Sequence, residues 1–172
     1  MATTKKSKAL TEQEVWKNID RLTRLCESFG WTVEYDMAPK VRNRGLADSD
    51  KRTITLNASQ TTENIYYVFI HEIGHMVGRL WTFGWEKKYD VLYHSERRNS
   101  ATYKIARIQD EIEAWDYGLK FARDHKFRVN TTKYEKIRAE CLTAYMMWAT
   151  KRRRNAKWNK LRENLVTDDD IT

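Results

Sequence analysis

Ile65-Tyr66-Tyr67-Val68-Phe69-Ile70-His71-Glu72-Ile73-Gly74-His75-Met76-Val77-Gly78-Arg79-Leu80 is the stretch on which the reading of this sequence turns. Ile65, Phe69, Ile73, Met76 and Leu80 recur at intervals of three and four. That period predicts the apolar stripe of a half-buried helix over about Thr62 to Leu80. His71 and His75 are four apart, so on this helix they lie about 40° from one another around the axis and one turn apart along it. Two imidazoles so placed can clasp one ion. Glu72 is beside them and can reach a metal-bound water rather than the metal. A zinc ion held this way lowers the pKa of its water to about 7, and the carboxylate takes the proton as hydroxide attacks a carbonyl. Chance alone places the five-residue pattern in roughly one of 150 chains of this composition, so the surrounding helix must carry the assignment.

A zinc site of this kind needs a third protein ligand. The candidates are His94, His125 and the acidic residues Asp110, Glu111, Glu113 and Asp116 of a second helix, expected over about Ser100 to Asp124. Counting from Glu111, the positions at +3, +7 and +11 are Ala114, Gly118 and Ala122, a seam of small side chains on one face. Glu113 shares its face with Gln109, Asp116, Lys120 and Asp124, a solvated set. Gly74 and Gly78 lie on the side of the first helix that adjoins His71. Glycine weakens a helix, so a close approach by another backbone is the reason to expect it there. Two helices meeting through these small residues would carry the Glu111 carboxylate towards the imidazoles. Glu111 is therefore preferred, with Glu113 and His94 as alternatives.

His71-Glu72-Ile73-Gly74-His75, followed 36 positions later by Glu111-Ile112-Glu113-Ala114-Trp115, resembles the zincin metallopeptidases. The likeness is closest to small ImmA/IrrE-like and phage-encoded zinc peptidases, whose second helix carries E-x-x-A followed by Asn, Asp or Trp. It spans about Trp31 to Ala122. It implies His71, His75 and Glu111 as zinc ligands, Glu72 as general base, and a peptide substrate lying along the strand Arg52 to Asn57 as a sheet edge. His71-x-x-x-His75-x-x-Gly78 also begins the longer metzincin signature, but Trp81 stands where the third histidine of that class belongs. The SprT-like peptidases take a third histidine further on, which His94 would supply.

Outward from this centre, Thr11-x-x-Glu14 forms a capping box for a helix through Val15, Ile19, Leu22, Cys26 and Phe29 that Gly30 stops. Trp31 to Asp36 alternates as a half-buried strand does, Pro39 to Asp50 reads as loop, and Arg52 to Asn57 as a second strand. Thr132-x-x-Glu135 suggests a capping box for a last helix over about Thr132 to Arg152, with Tyr134, Ile137, Cys141, Tyr145 and Trp148 on its apolar face. Trp81 to Asn99 reads as loop or hairpin. Trp81, Phe83 and Trp85 are expected to cover the core. The expected fold is α+β and zincin-like: a small antiparallel or mixed sheet packed on a mostly helical core, with the motif on a central helix. Residues 11–150 form the expected single domain, between a polar arm at 1–10 and a basic, then acidic tail at 151–172.

The 172 residues carry a net charge of +8, and 41% are hydrophobic. This composition suits one domain with a sizeable core and excludes a disordered chain. No apolar run approaches the ~20 residues needed to cross a bilayer, and no apolar segment of a signal peptide follows Lys5, Lys6 and Lys8. A cytoplasmic protein is expected, in the host cytoplasm if phage-encoded. Cys26 and Cys141 form no C-x-x-C pair, which excludes a disulfide framework and a cysteine-built zinc ribbon. Both are read as small buried hydrophobes. Lys151, Arg152, Arg153, Arg154, Lys157, Lys160 and Arg162 form a run without an acidic residue, and Trp158 lies among them. Such a run can neutralise phosphates while the indole stacks on a base, so it is a candidate nucleic-acid contact as well as a solvated helix end. For the oxyanion of a hydrolytic transition state, His94, Tyr93, Tyr89 and His125 are all available as donors, and the sequence does not rank them.

Overall fold

In the computed structural model the described residues are 10–37, 45–81, 84–94, 98 and 100–150. They form α1 (Glu12–Ser28), β1 (Thr32–Asp36), β2 (Gly45–Asp48), β3 (Thr53–Asn57), α2 (Thr62–Trp81), α3 (Trp85–Lys88), α4 (Asp90–His94), α5 (Ala101–Asp124) and α6 (Thr131–Thr150). The architecture is a mostly helical core with a small mixed sheet, and the His71–His75 motif lies on the central helix α2.

Local signals account for most of these boundaries. Thr11 and Glu14 satisfy each other's backbone N–H groups as the capping box requires (2.7 and 3.2 Å). Gly30, at φ +75°, takes the left-handed turn that ends α1. Ser100 caps α5 by accepting from Tyr103 N. The cap of α6 differs from the expected Thr132: helix begins at Thr131, and Asn130 Oδ1 accepts from Lys133 N at 3.2 Å. Asn130, two residues upstream of Thr132, offers the better-placed acceptor, and the Thr-x-x-Glu pattern falls inside the first turn.

The sheet order is β1-β3-β2, with β1 parallel and β2 antiparallel to β3. This corrects two expectations. Gly45–Asp48 is a strand within the segment read as loop, and Arg52 to Asn57 supplies the central strand rather than an edge. The edge beside the motif helix is β2. Ile54 and Leu56 of β3 are fully buried, and their cross-strand partners Ala47 and Gly45 share that face. The region read as loop or hairpin contains the short helices α3 and α4.

The core runs through α1, the inner face of the sheet, α2 and α5. Ile65, Phe69, Ile73 and Met76 are buried as the stripe predicts, whereas Leu80, in the last turn of α2, is 61% exposed. Phe29 is likewise exposed, at the end of α1. Trp81 is half exposed and packs edge-on to Tyr117, so it shields the rim of the core. Phe83 and the side chain of Trp85 lie outside the described residues, as do residues 1–9 and 151–172. No described helix is long and apolar enough to cross a membrane.

Candidate metal centre

The contact between α2 and α5 places the site. A Cβ on Gly74 would lie 1.8 Å from the carbonyl oxygen of Ala114, and one on Gly118 2.2 Å from that of Ile70. Each glycine thus admits the other helix's backbone, and the small-residue seam is real. Gly78 differs: it faces the ring of Tyr117 rather than backbone.

This approach brings Glu111 to the imidazoles. Its Oε2 lies 3.3 Å from His71 Nε2 and 3.6 Å from His75 Nε2. His71, Glu72 and His75 each offer a ligand atom within a 4.8 Å cluster, and so do His75, Asp110 and Glu111. His71, Glu72, Asp110 and Glu111 are all buried. The spacing fits a cation: ligand atoms 2.0–2.1 Å from a tetrahedral zinc are about 3.3 Å apart, and the two nitrogen–oxygen distances exceed an ordinary hydrogen bond of about 2.7–3.2 Å. Two imidazoles and a carboxylate are also a donor set that zinc accepts.

Asp110 stands behind His75, with Oδ2 3.7 Å from Nδ1. His71 is oriented otherwise. Its Nδ1 is buried and meets no hydrogen-bond partner among the described residues, and its ring stacks on Trp115 at 4.2 Å and 16°. Burial alone would raise the Glu111 carboxyl, but the imidazoles of His75 and His71 facing it outweigh burial and hold it well below the usual carboxylate range.

Glu72 lies beside the cluster. Burial, joined by the charge of Glu111 and opposed by His71, Arg107 and a hydrogen bond from Ala47 N–H, raises its pKa to about 7. Gly45 makes this packing feasible, because a Cβ there would lie 2.7 Å from Glu72 Oε1. The edge strand β2 is thus pressed directly against the acid.

The other candidates lie elsewhere. Glu113 is drawn off by Lys88 and by Gln109 at 3.4 Å. Asp116 pairs with Arg138 at 2.9 Å. His125 caps the far end of α5 with its ring against Phe121, about 20 Å along the helix from Glu111. His94 ends α4, and its side chain, like that of Tyr93, is not among those described. Tyr89 is buried against Ala106 in a separate small cluster.

A cavity of about 460 Å³ opens over the site, between β2, α2, α5 and α6. Its lining includes residues that the sequence reading placed in the core or did not single out: Arg79, Tyr103, Arg107, Cys141, Tyr145 and Trp148. The lower half of the α6 stripe, Tyr134 and Ile137, is buried as expected. The upper half walls the cavity instead, so Cys141 is only partly buried. The signal for this was the spacing Cys141, Tyr145, Trp148, which a core face and a cavity wall share.

Comparison with protein-family models, curated proteins and solved structures yields no match to this chain. The His71-Glu72-x-x-His75 motif on α2 suggests a zincin-like metal-binding site, and the clustering of its side chains is consistent with metalloenzyme chemistry.

Proposed function

We propose that this chain is a zinc-dependent peptidase acting on a protein or peptide. One observation carries the reading: two imidazole nitrogens face a single carboxylate oxygen at ligand spacing, with a second buried carboxylate, Glu72, alongside. His71, His75 and Glu111 would hold the cation. When bound, it supplies Lewis acidity and lowers the pKa of water to about 7. Glu72 is the general base: it takes the proton of the attacking water and passes it to the departing nitrogen. Glu72 lies buried beside the cluster and pressed against β2 at Gly45, which holds the carboxylate over the site. An extended substrate adds to the edge of β2, the strand nearest Glu72, and its side chains meet the aromatic wall of Tyr103, Tyr145 and Trp148. The Glu111-x-x-Ala114-Trp115 spacing supports kinship with the ImmA/IrrE-like peptidases.

The test is Glu72→Gln, measured for bound metal and for cleavage of an unfolded protein. Metal content should persist while the rate falls at least about 100-fold; unchanged cleavage removes the mechanism. Glu111→Ala should lose zinc and Glu113→Ala should keep it, and the reverse result reassigns the ligand. A second reading, contact with nucleic acid, rests on the run from Lys151 to Arg162. It requires an affinity for DNA or RNA that falls steeply with salt and disappears when Lys151 to Arg154 are neutralised.

A further inference from the structure

Glu111 presents its two oxygens to different partners. Oε2 faces both imidazoles, whereas Oε1 lies 3.2 Å from Arg107 Nη2. The other guanidinium nitrogen, Nη1, lies 3.2 Å from Asp110 Oδ2, the atom that faces His75 Nδ1. Arg107 precedes these acids by three and four positions, which puts all three on one helix face. Tyr145 reaches across from α6 into the same cavity, with its ring 6.0 Å from the guanidinium.

We propose that Arg107, supported by Tyr145, is the positioning residue of the metal centre: it holds Glu111 Oε1 away from the ion, so that Glu111 coordinates through Oε2 alone, and it steers His75 through Asp110. The inference rests on the metal-site reading above. An unrestrained carboxylate can rotate to give a cation both oxygens, filling the position that a hydrolytic site keeps for solvent and substrate. The planar fork of a guanidinium holds two carboxylates in a fixed relative geometry, which the freely rotating ammonium of a lysine does not. An ordinary ion pair at this spacing on an exposed helix contributes little. Here the acid side chains are only 2% and 5% exposed, so removing the guanidinium leaves two adjacent buried charges unmatched.

The experiment uses the full chain, freed of metal and reloaded with Zn²⁺ or Co²⁺. Zinc affinity is read by competition with a chromophoric chelator. Geometry is read from the visible absorption of the cobalt form, which is much stronger for four-coordinate than for five- or six-coordinate Co²⁺. Arg107→Gln should weaken zinc binding about 10–100-fold and diminish the cobalt bands as Glu111 closes on the ion with both oxygens. Arg107→Lys should recover part of the affinity but not the bands. Tyr145→Phe should shift both in the same direction by a smaller amount. Wild-type affinity and bands in Arg107→Gln overturn the proposal and leave the metal site standing. If Arg107→Gln does not fold, wild-type bands in Arg107→Lys overturn it equally. A wild-type chain that binds neither ion removes the metal reading itself, and this inference with it.

Discussion

Gly74→Ala adds one methyl group and alters no proposed ligand, yet it should damage both stability and the site. The new Cβ would sit 1.8 Å from Ala114 O, 2.7 Å from its carbonyl carbon and 2.9 Å from Gly118 N, all backbone atoms. Ordinary contact begins near 3.4 Å, so α2 and α5 must part by about 1.6 Å along that line, because neither backbone can rotate away. Overpacking typically costs about 1–3 kcal/mol. A clash between two helix backbones belongs at or above the top of that range, against about 1 kcal/mol returned by alanine's helix propensity. We expect a net loss of about 3 kcal/mol, or a fall in Tm of about 6–12 °C for a chain of this size. Glu111 lies one turn before Ala114, so the same movement would stretch its 3.3 and 3.6 Å separations from the imidazoles towards 5 Å, and zinc affinity should fall at least about tenfold. Gly78→Ala is the matched control. It meets only the Tyr117 ring, at 2.9 Å, and a side chain can yield where a backbone cannot. Its net effect should stay within about 0.5 kcal/mol of zero. Urea melts of both variants and chelator competition decide the matter. If the two variants lose equal stability, or if Gly74→Ala binds zinc as wild type does, backbone contact at Gly74 is not what positions Glu111.

Asp110→Asn removes the charge facing His75 and Arg107 together, and should weaken zinc binding by about 10–100-fold; an affinity equal to wild type would deny Asp110 that role. In the native protein a thiol reagent should label Cys141, which lines the cavity, and spare Cys26, which is fully buried with its pKa pushed up to about 12 by burial. Intact-mass analysis should then show one adduct before denaturation and two after it. Cys26 and Tyr67 both have folded-state pKa values of about 12, raised chiefly by burial above ordinary values of 9.0 and 10.0. Unfolding therefore releases protons, so their contribution is full below about pH 9 and is lost as pH climbs towards 12. Urea melts at pH 8 and 10.5 should show lower stability at the higher pH, and equal midpoints would contradict the assignment.

The helix that carries the site was legible because its pattern is local. His71 and His75 at one turn's spacing, Glu72 between them, and buried Ile65, Phe69, Ile73 and Met76 all express a single period. Ala114 and Gly118 were legible for a related reason: small residues at helical spacing have few purposes other than close approach. β2 was not. Gly45-Leu46-Ala47-Asp48 is too short and too poor in β-formers to announce a strand, and its pairing with Leu56 and Ile54 is a tertiary fact. The central position of β3 depends on that same strand, and nothing within Arg52 to Asn57 itself distinguishes a central strand from an edge. Arg107 resembled any charge on a helix surface, and Tyr145 any aromatic on a core face. What distinguishes them is the meeting of α5 with α6, which no period within either helix encodes.

Charge connects these pieces. Glu72, Asp110 and Glu111 would bring three negative charges into a buried space that contains one guanidinium and two imidazoles, neutral when they serve as ligands. Arg79 and Glu140 in the cavity lining offset one another. The cluster is thus two positive charges short of balance, and its acids divide the strain unequally. Glu111, which the imidazoles and Arg107 surround, stays ionised. Glu72, left mainly with burial and with Glu111 as a like-charged neighbour, is the one whose pKa rises to about 7. A dication would restore neutrality and remove the reason for Glu72 to retain its proton. The feature that makes the isolated pocket costly to fold is therefore the one that would make it selective for a doubly charged ion and leave Glu72 ionised as a base.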